Sequence, residues 1–184
     1  MEERMIFAGF GGQGVLTAGK ILAAAVAAEG RHVTYFPSYG SEVRGGTANC
    51  QVVVGDDEIA SPLVEEATSL LIMNAPSMTR FFPTLAKDGL MVLNTSLVAV
   101  PDHANTRRIL GIGATETARE IGAVQVANVM MLAALNEVVR VVEPARLLDV
   151  VLKRLSGKKA EFVPLNEKAF ETGRRLAAEW MRRK

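Results

Sequence analysis

Cysteine is almost absent: Cys50 is the only one in 184 residues. One thiol cannot close an intramolecular disulfide, complete a zinc knuckle or ligate an iron–sulfur cluster. Such usage fits a reducing cytoplasm. The two histidines, His32 and His103, stand far apart without a flanking ligand pattern. No Gly-x-Ser-x-Gly elbow and no paired-acid motif accompanies them, so no complete catalytic centre is visible. Long uninterrupted apolar runs are missing too. Val15 to Ala28 has the length of a signal-peptide core, but Lys20 interrupts it and Glu2 and Glu3 oppose Arg4 ahead of it. Val124 to Val142 contains Gln125, Asn128, Asn136, Glu137 and Arg140. Neither reads as a membrane span.

What is plentiful is apolar side chain. Hydrophobic residues make up 49% and glycine adds 16 more positions, above the ~45–50% that an ordinary domain reaches with glycine included. Disorder is excluded for most of the chain, and the excess points to a dense core or to surface covered by a partner. The length suits one compact domain over residues 1–184. The net charge of +1 hides a division: residues 1–152 carry 11 basic and 16 acidic side chains, residues 153–184 carry 10 and 4. A basic tail suits an acidic protein partner or solvent. With only Phe162, Phe170 and Trp180 nearby it is too poor in aromatics for a base-stacking platform, so nucleic acid is not expected.

The order of elements follows from the apolar pattern. Arg4 to Ala8 is a strand, Gly9-Phe10-Gly11-Gly12-Gln13-Gly14 a loop, and Val15 onward a helix by spacing. Strands are expected at His32–Phe36 and Thr47–Val54, separated by a loop from Pro37 to Gly46. Continuous apolar runs at Ser69–Met73 and Leu90–Leu93 read as strands buried on both faces, with a short helix over Ser77–Leu85 between them. A strand at Arg108–Ile112 and helices at Thr117–Ile121 (capped from Gly113–Glu116), Gln125–Arg140, Pro144–Leu155 and Asn166–Arg183 complete the chain. Alternating strands and helices imply an α/β three-layer sandwich with a largely parallel sheet and a helical C-terminal third. In the last helix Phe170, Gly173, Ala177, Trp180 and Met181 form one stripe. It suits docking on its own domain; a partner-binding helix is the alternative.

Gly9-x-Gly11-x-x-Gly14 has the spacing of a dinucleotide fingerprint, placed where backbone could approach a phosphate at a positive helix end. The second strand ends in Phe36-Pro37-Ser38 with no acid for a ribose hydroxyl, so NAD loses its discriminating residue. Binding of an adenosine phosphate in another form, or a turn that is merely tight for packing, remain open. Gly14 to Ile21 mimics a P-loop, but Ile21 stands where the magnesium-holding hydroxyl belongs; Gly19 instead allows close helix packing and Lys20 is solvated. The segment Ser38-Tyr39-Gly40-Ser41-Glu42-Val43-Arg44-Gly45-Gly46 places a hydroxyl cluster, a carboxylate and a guanidinium on one long loop. Arg44 there suits a phosphate or carboxylate, or it ties the loop to Glu42 or a backbone carbonyl. Asn128 in an apolar helix reads as a buried amide satisfied by backbone, and Cys50 as a small buried side chain.

Taken together, Gly9 to Gly14, Tyr39 to Gly46, Ile59-Ala60-Ser61-Pro62 and Ala127-Asn128 resemble the gamma subunit of 2-oxoacid:ferredoxin oxidoreductases, a family acting on pyruvate, 2-oxoglutarate or ketoisovalerate. The chain is similar also to the corresponding domain of single-chain pyruvate:ferredoxin oxidoreductase and to the small subunit of indolepyruvate oxidoreductase. The resemblance implies a complex that decarboxylates a 2-oxoacid on thiamine diphosphate, passes electrons through iron–sulfur clusters to ferredoxin, and releases an acyl-CoA. Thiamine diphosphate, magnesium and the clusters would sit on alpha, beta and delta-type partners, since this chain lacks a Gly-Asp-Gly motif with a downstream Asn pair. Its own share would be assembly and part of a shared coenzyme A site, with Gly11, Gly12 and Gln13 as donors and Arg44, Gly45 and Gly46 completing an anion pocket. The substrate expected is 2-oxoglutarate or a related oxoacid. The rivals are a stand-alone dinucleotide-binding domain and a purely structural subunit. Self-association is expected of the isolated chain.

Overall fold

The fold grows from β1 (Glu2–Phe10), whose alternate residues are buried on opposite sides: Met5 and Phe7 in one core, Ile6 and Ala8 in another. A strand wrapped on both faces needs no polar alternation, which accounts for the unbroken apolar run. The computed structural model describes residues 2–39, 46–101, 108–154 and 160–183. On one side β1 pairs in parallel with β4 (Ala67–Ile72), followed by β5 (Leu85–Asn94) and β6 (Arg108–Ile112). On the other it pairs antiparallel with β3 (Thr47–Gly55), and β3 pairs antiparallel with the edge strand β2 (His32–Tyr39). The order is β2-β3-β1-β4-β5-β6, and β3 alone runs against the rest.

Crossover direction decides which face each helix covers. Helix α1 (Val15–Ala28) links β1 to β2, whereas α2 (Ala75–Phe81) links β4 to β5, the opposite way across the sheet. Right-handed crossovers in opposite directions put the two on opposite faces. The remaining helices, α3 (Ala114–Ile121), α4 (Ala127–Val139), α5 (Pro144–Lys153) and α6 (Val163–Arg182), share the core beneath α1. The other face has α2, a 3-10 turn at Phe82–Thr84, and the loop side chains Ile59, Val64 and Val98.

Several boundaries differ from the expectation for local reasons. β2 extends three residues beyond Phe36, carried by its ladder with β3. Helix α2 begins at Ala75 because the Asn74 side chain accepts the Ser77 N–H at 2.8 Å. The stretch expected to stay helical to Leu85 breaks at Pro83, which has no N–H to continue the ladder, and β5 starts at Leu85 rather than Leu90. Helix α3 starts at Ala114, with Gly113 at its N-cap and no side-chain cap, since Thr115 is engaged with Asn94 at the end of β5. Helix α6 starts at Val163, with Pro164 in its first turn.

Helix α4 is buried all round, as its composition requires, and α6 docks against it. The closest approach is at Gly173, where a Cβ would lie 2.1 Å from the Met130 carbonyl oxygen. Next to this contact Glu137, buried on α4, holds Arg174 at 2.8 Å and also pairs with Arg140. The hydrogen bond that Arg174 donates to the Glu137 carboxylate raises the Arg174 pKa above the ordinary arginine value. Phe170, Gly173 and Ala177 of the expected stripe are buried, and Trp180 donates its indole N–H to Ile109 O of β6 at 2.8 Å. Met181 departs from the stripe and is 38% exposed. No helix among the described residues is long and apolar enough to cross a membrane.

Candidate functional site

The sheet reverses its connectivity beside β1, the place where ligands settle in open α/β sheets. There the chain leaves β1 at Phe10 and enters α1 through Gly11 to Gly14. Gly12 has φ +101° and Gly14 φ +78°, left-handed conformations that exclude most side chains. The turn is closed twice: Gln13 N–H donates to Phe10 O at 3.1 Å, and Phe10 N–H donates to Gln13 Oε1 at 2.7 Å. Gln13 Nε2 donates onward to Met73 O at the end of β4, at 3.1 Å.

The two glycine motifs meet here. Gly11 N–H donates to Gly46 O at 3.0 Å, continuing the ladder in which Phe10 faces Thr47. Gly11, Gly12, Gln13 and Gly46 are therefore gathered at one end of the sheet. Arg44 and Gly45 lie outside the described residues, as does Glu42.

The N–H groups of Gly11 and Gln13 are thus engaged inside the loop. Among the described residues those of Gly12, Gly14, Val15, Leu16 and Thr17 meet no acceptor. Helix α1 has no side-chain cap and no acidic residue in its first turn. Among the described residues no acceptor meets its positive end, which suits an anion.

This end opens onto a cleft of about 680 Å³. Gly12, Gly14 and Thr17 form one wall. Ile21, Val126, Val129, Val151 and Phe162 supply apolar surface, Gln125, Asn128 and Asn166 supply amides, and Arg154 supplies an exposed cation. Asn128, 7% exposed, donates Nδ2–H to Gly14 O at 3.1 Å, and Asn166 donates to Phe162 O at 2.8 Å. Asn128 is the expected amide satisfied by backbone, but it also forms part of the cleft wall. Sequence reasoning gave Asn128 no place in a site, although Ala127-Asn128 stood among the motifs of the family resemblance and its carboxamide lies in an otherwise apolar helix. Asn166 and Arg154 carried no signal. A cleft with amide donors at one end and apolar walls beyond fits an elongated ligand bearing both an anionic and an apolar part.

Three other residues take the roles read from sequence. Lys20 is exposed, and Gly19 lets α1 close on β3, since a Cβ there would lie 2.4 Å from Cys50 Sγ. Cys50 is fully buried, its thiol faces Val15 O at 3.6 Å, and burial pushes its pKa up to about 12. At neutral pH it holds its proton and is a packing residue.

Residues 4–176 match the pyruvate ferredoxin/flavodoxin oxidoreductase family. The chain is 35% identical over 183 residues to ketoisovalerate oxidoreductase subunit VorA of Methanothermobacter marburgensis, covering 99% of this chain but only 37% of that longer protein. It is 36% identical over 176 residues to 2-oxoglutarate synthase subunit KorC of Archaeoglobus fulgidus, covering 95% and 90%. The fold matches the gamma subunit of a keto/oxoacid ferredoxin oxidoreductase from Geobacter sulfurreducens, with TM-score 0.85, 27% identity and coverage of 97% and 98%. A 2-oxoglutarate:ferredoxin oxidoreductase from Magnetococcus marinus, solved with 2-oxoglutarate, coenzyme A and succinyl-CoA bound, shares the fold at TM-score 0.89 and 24% identity over 97% of this chain and 31% of that one. The glycine loop, its sheet and its helices are thus those of a gamma-type domain, and the chain belongs to the pyruvate ferredoxin/flavodoxin oxidoreductase family.

Proposed function

We propose that the chain is the gamma-type subunit of a complex that oxidatively decarboxylates a 2-oxoacid, 2-oxoglutarate or a close relative, to an acyl-CoA with ferredoxin as electron acceptor. Its own share is to build part of the coenzyme A site and to hold the assembly together. The carrying observation is the glycine loop: the unengaged N–H groups of Gly12, Gly14 and the first turn of α1 stand at one end of a cleft with apolar walls. Coenzyme A joins phosphates to a long, less polar arm, and the two halves of the cleft suit the two halves of such a molecule. Gly11 and Gln13 shape the loop and Gly46 anchors it; Arg44 and Gly45, outside the described residues, keep the anion-binding role that the family resemblance implies for them.

Assembly is supported by the thinly covered face of the sheet. Phe10 follows Ile6 and Ala8 in alternation, and Phe36 is out of phase with Val33 and Tyr35, which pack on the α1 side, so both rings stand on the face opposite α1. They are 37% and 42% exposed. Such rings are what alpha, beta or delta-type partners would cover. Iron–sulfur clusters belong on those partners because the one thiol here is buried and protonated, and thiamine diphosphate with magnesium because this chain has no Gly-Asp-Gly motif.

Affinity capture of the tagged chain tests this reading. It should bring down thiamine- and cluster-bearing partners, and the captured complex should reduce ferredoxin only with a 2-oxoacid and coenzyme A together. In that complex Arg44→Ala should raise the KM for coenzyme A about tenfold, roughly 1.4 kcal/mol of lost binding. An unchanged KM would remove the coenzyme A role; loss of assembly in the same variant would make Arg44 a structural residue.

A further inference from the structure

We infer that Gln13 and Asn128 are positioning residues which hold the glycine loop in its ligand-ready shape before coenzyme A arrives; the inference rests on the coenzyme A reading above. Four of the six residues from Gly9 to Gly14 are glycine. Glycine loses more backbone freedom on ordering than any other residue, so an untethered loop of this composition would bind an anion only after being ordered at the ligand's expense.

Two side-chain amides tether it, and both reach across the chain. Gln13 joins the loop to β4 by accepting from Phe10 N–H and donating to Met73 O, 60 residues away in sequence. Gly9 makes room for this carboxamide, since a Cβ there would lie 2.7 Å from Gln13 Oε1. Asn128 reaches from α4 to Gly14 O, 114 residues away. The same oxygen accepts Ala18 N–H at 2.9 Å, the first helical bond of α1. Asn128 therefore fixes both the left-handed Gly14 and the start of the helix whose first-turn amides are unengaged. Gly14 in turn accommodates Asn128, because a Cβ there would lie 2.3 Å from its Nδ2. Held from β4 and from α4, the loop keeps one conformation without touching ligand, the arrangement by which a supporting residue preorganises a site.

Four variants of the assembled complex test the inference. Asn128→Asp keeps the size of the side chain but turns an anion toward Gly14 O. It should raise the KM for coenzyme A about tenfold while kcat changes far less, and should speed hydrogen exchange of the Gly12–Thr17 amides without altering exchange in α6. Gln13→Ala, which loses both bonds, should raise the KM more than Gln13→Glu, which retains the acceptor for Phe10 N–H. Gly12→Val, whose side chain meets open space but an unfavourable φ, perturbs the loop directly and tests the underlying reading. If Gly12→Val raises the KM and the Asn128 and Gln13 variants do not, the positioning role is wrong and the coenzyme A reading stands. If none of the variants moves the KM, both fall. A KM unchanged in whatever complex assembles, with only its yield reduced, also overturns the inference, since that is what a purely structural role produces.

Discussion

The two faces of the sheet are built to different standards. Among the described residues one carries five helices and a core that takes in residues from Met5 to Ala177; the other carries one seven-residue helix, a 3-10 turn and three loop side chains, and these leave Phe10 and Phe36 open. The heavily covered face also holds the glycine loop and the cleft. This domain thus keeps its main core and its cleft on one side of the sheet and presents apolar side chains on the other. A protein whose chemistry is completed across subunit boundaries has a use for that division.

The largest effect should come from damaging the covered face. Gly173→Ala drives a Cβ into the Met130 carbonyl, and as α4 and α6 are both embedded in the core the overpacking should cost about 3 kcal/mol, read by denaturant unfolding. On the open face, Phe36→Asp should shift the stability of the isolated chain by less than about 0.5 kcal/mol. It should nevertheless weaken assembly with partner subunits by about 2 kcal/mol, measured by titrating one subunit against the others. Equal effects on folding and assembly would erase the distinction between the faces.

A third prediction uses the buried thiol between α1 and β3. Its pKa stands at about 12 in the folded chain against 9.0 for the free group. The unfolded chain therefore loses this proton first as pH rises. Stability is intact below about pH 9 and declines toward pH 12, by about 1.4 kcal/mol per pH unit from this group. The decline should be shallower by that amount in Cys50→Ala, and native Cys50 should resist alkylation at pH 8. Rapid alkylation without unfolding would place the thiol outside the packed face.

Much of the architecture was legible because its cause is local. Apolar runs gave β1, β4 and β5, β-branched composition gave β3, and prolines and glycines marked the ends of most helices. The reversed direction of β3 was not legible, since no local pattern in Thr47 to Gly55 states whether a neighbour runs with it or against it. The difference between the faces was hidden for a similar reason: the handedness of two crossovers decides it, not the composition of any one strand. For the candidate site, the glycine motifs were visible as motifs, and their meeting through Gly11 and Gly46 follows from the ladder. The engaged state of the Gly11 and Gln13 amides was invisible, because it depends on a turn closing on itself. The cleft walls from Val151, Phe162 and Asn166 come from elements over 130 residues away from the loop and have no signature in sequence.

Whether the glycine loop binds coenzyme A is read from the affinity of the assembled complex for it, measured by calorimetric titration with wild-type chain and with Gly12→Val. A loss of about tenfold or more with assembly unchanged is the predicted result; equal affinity in the two complexes would contradict the assignment of the glycine loop to coenzyme A.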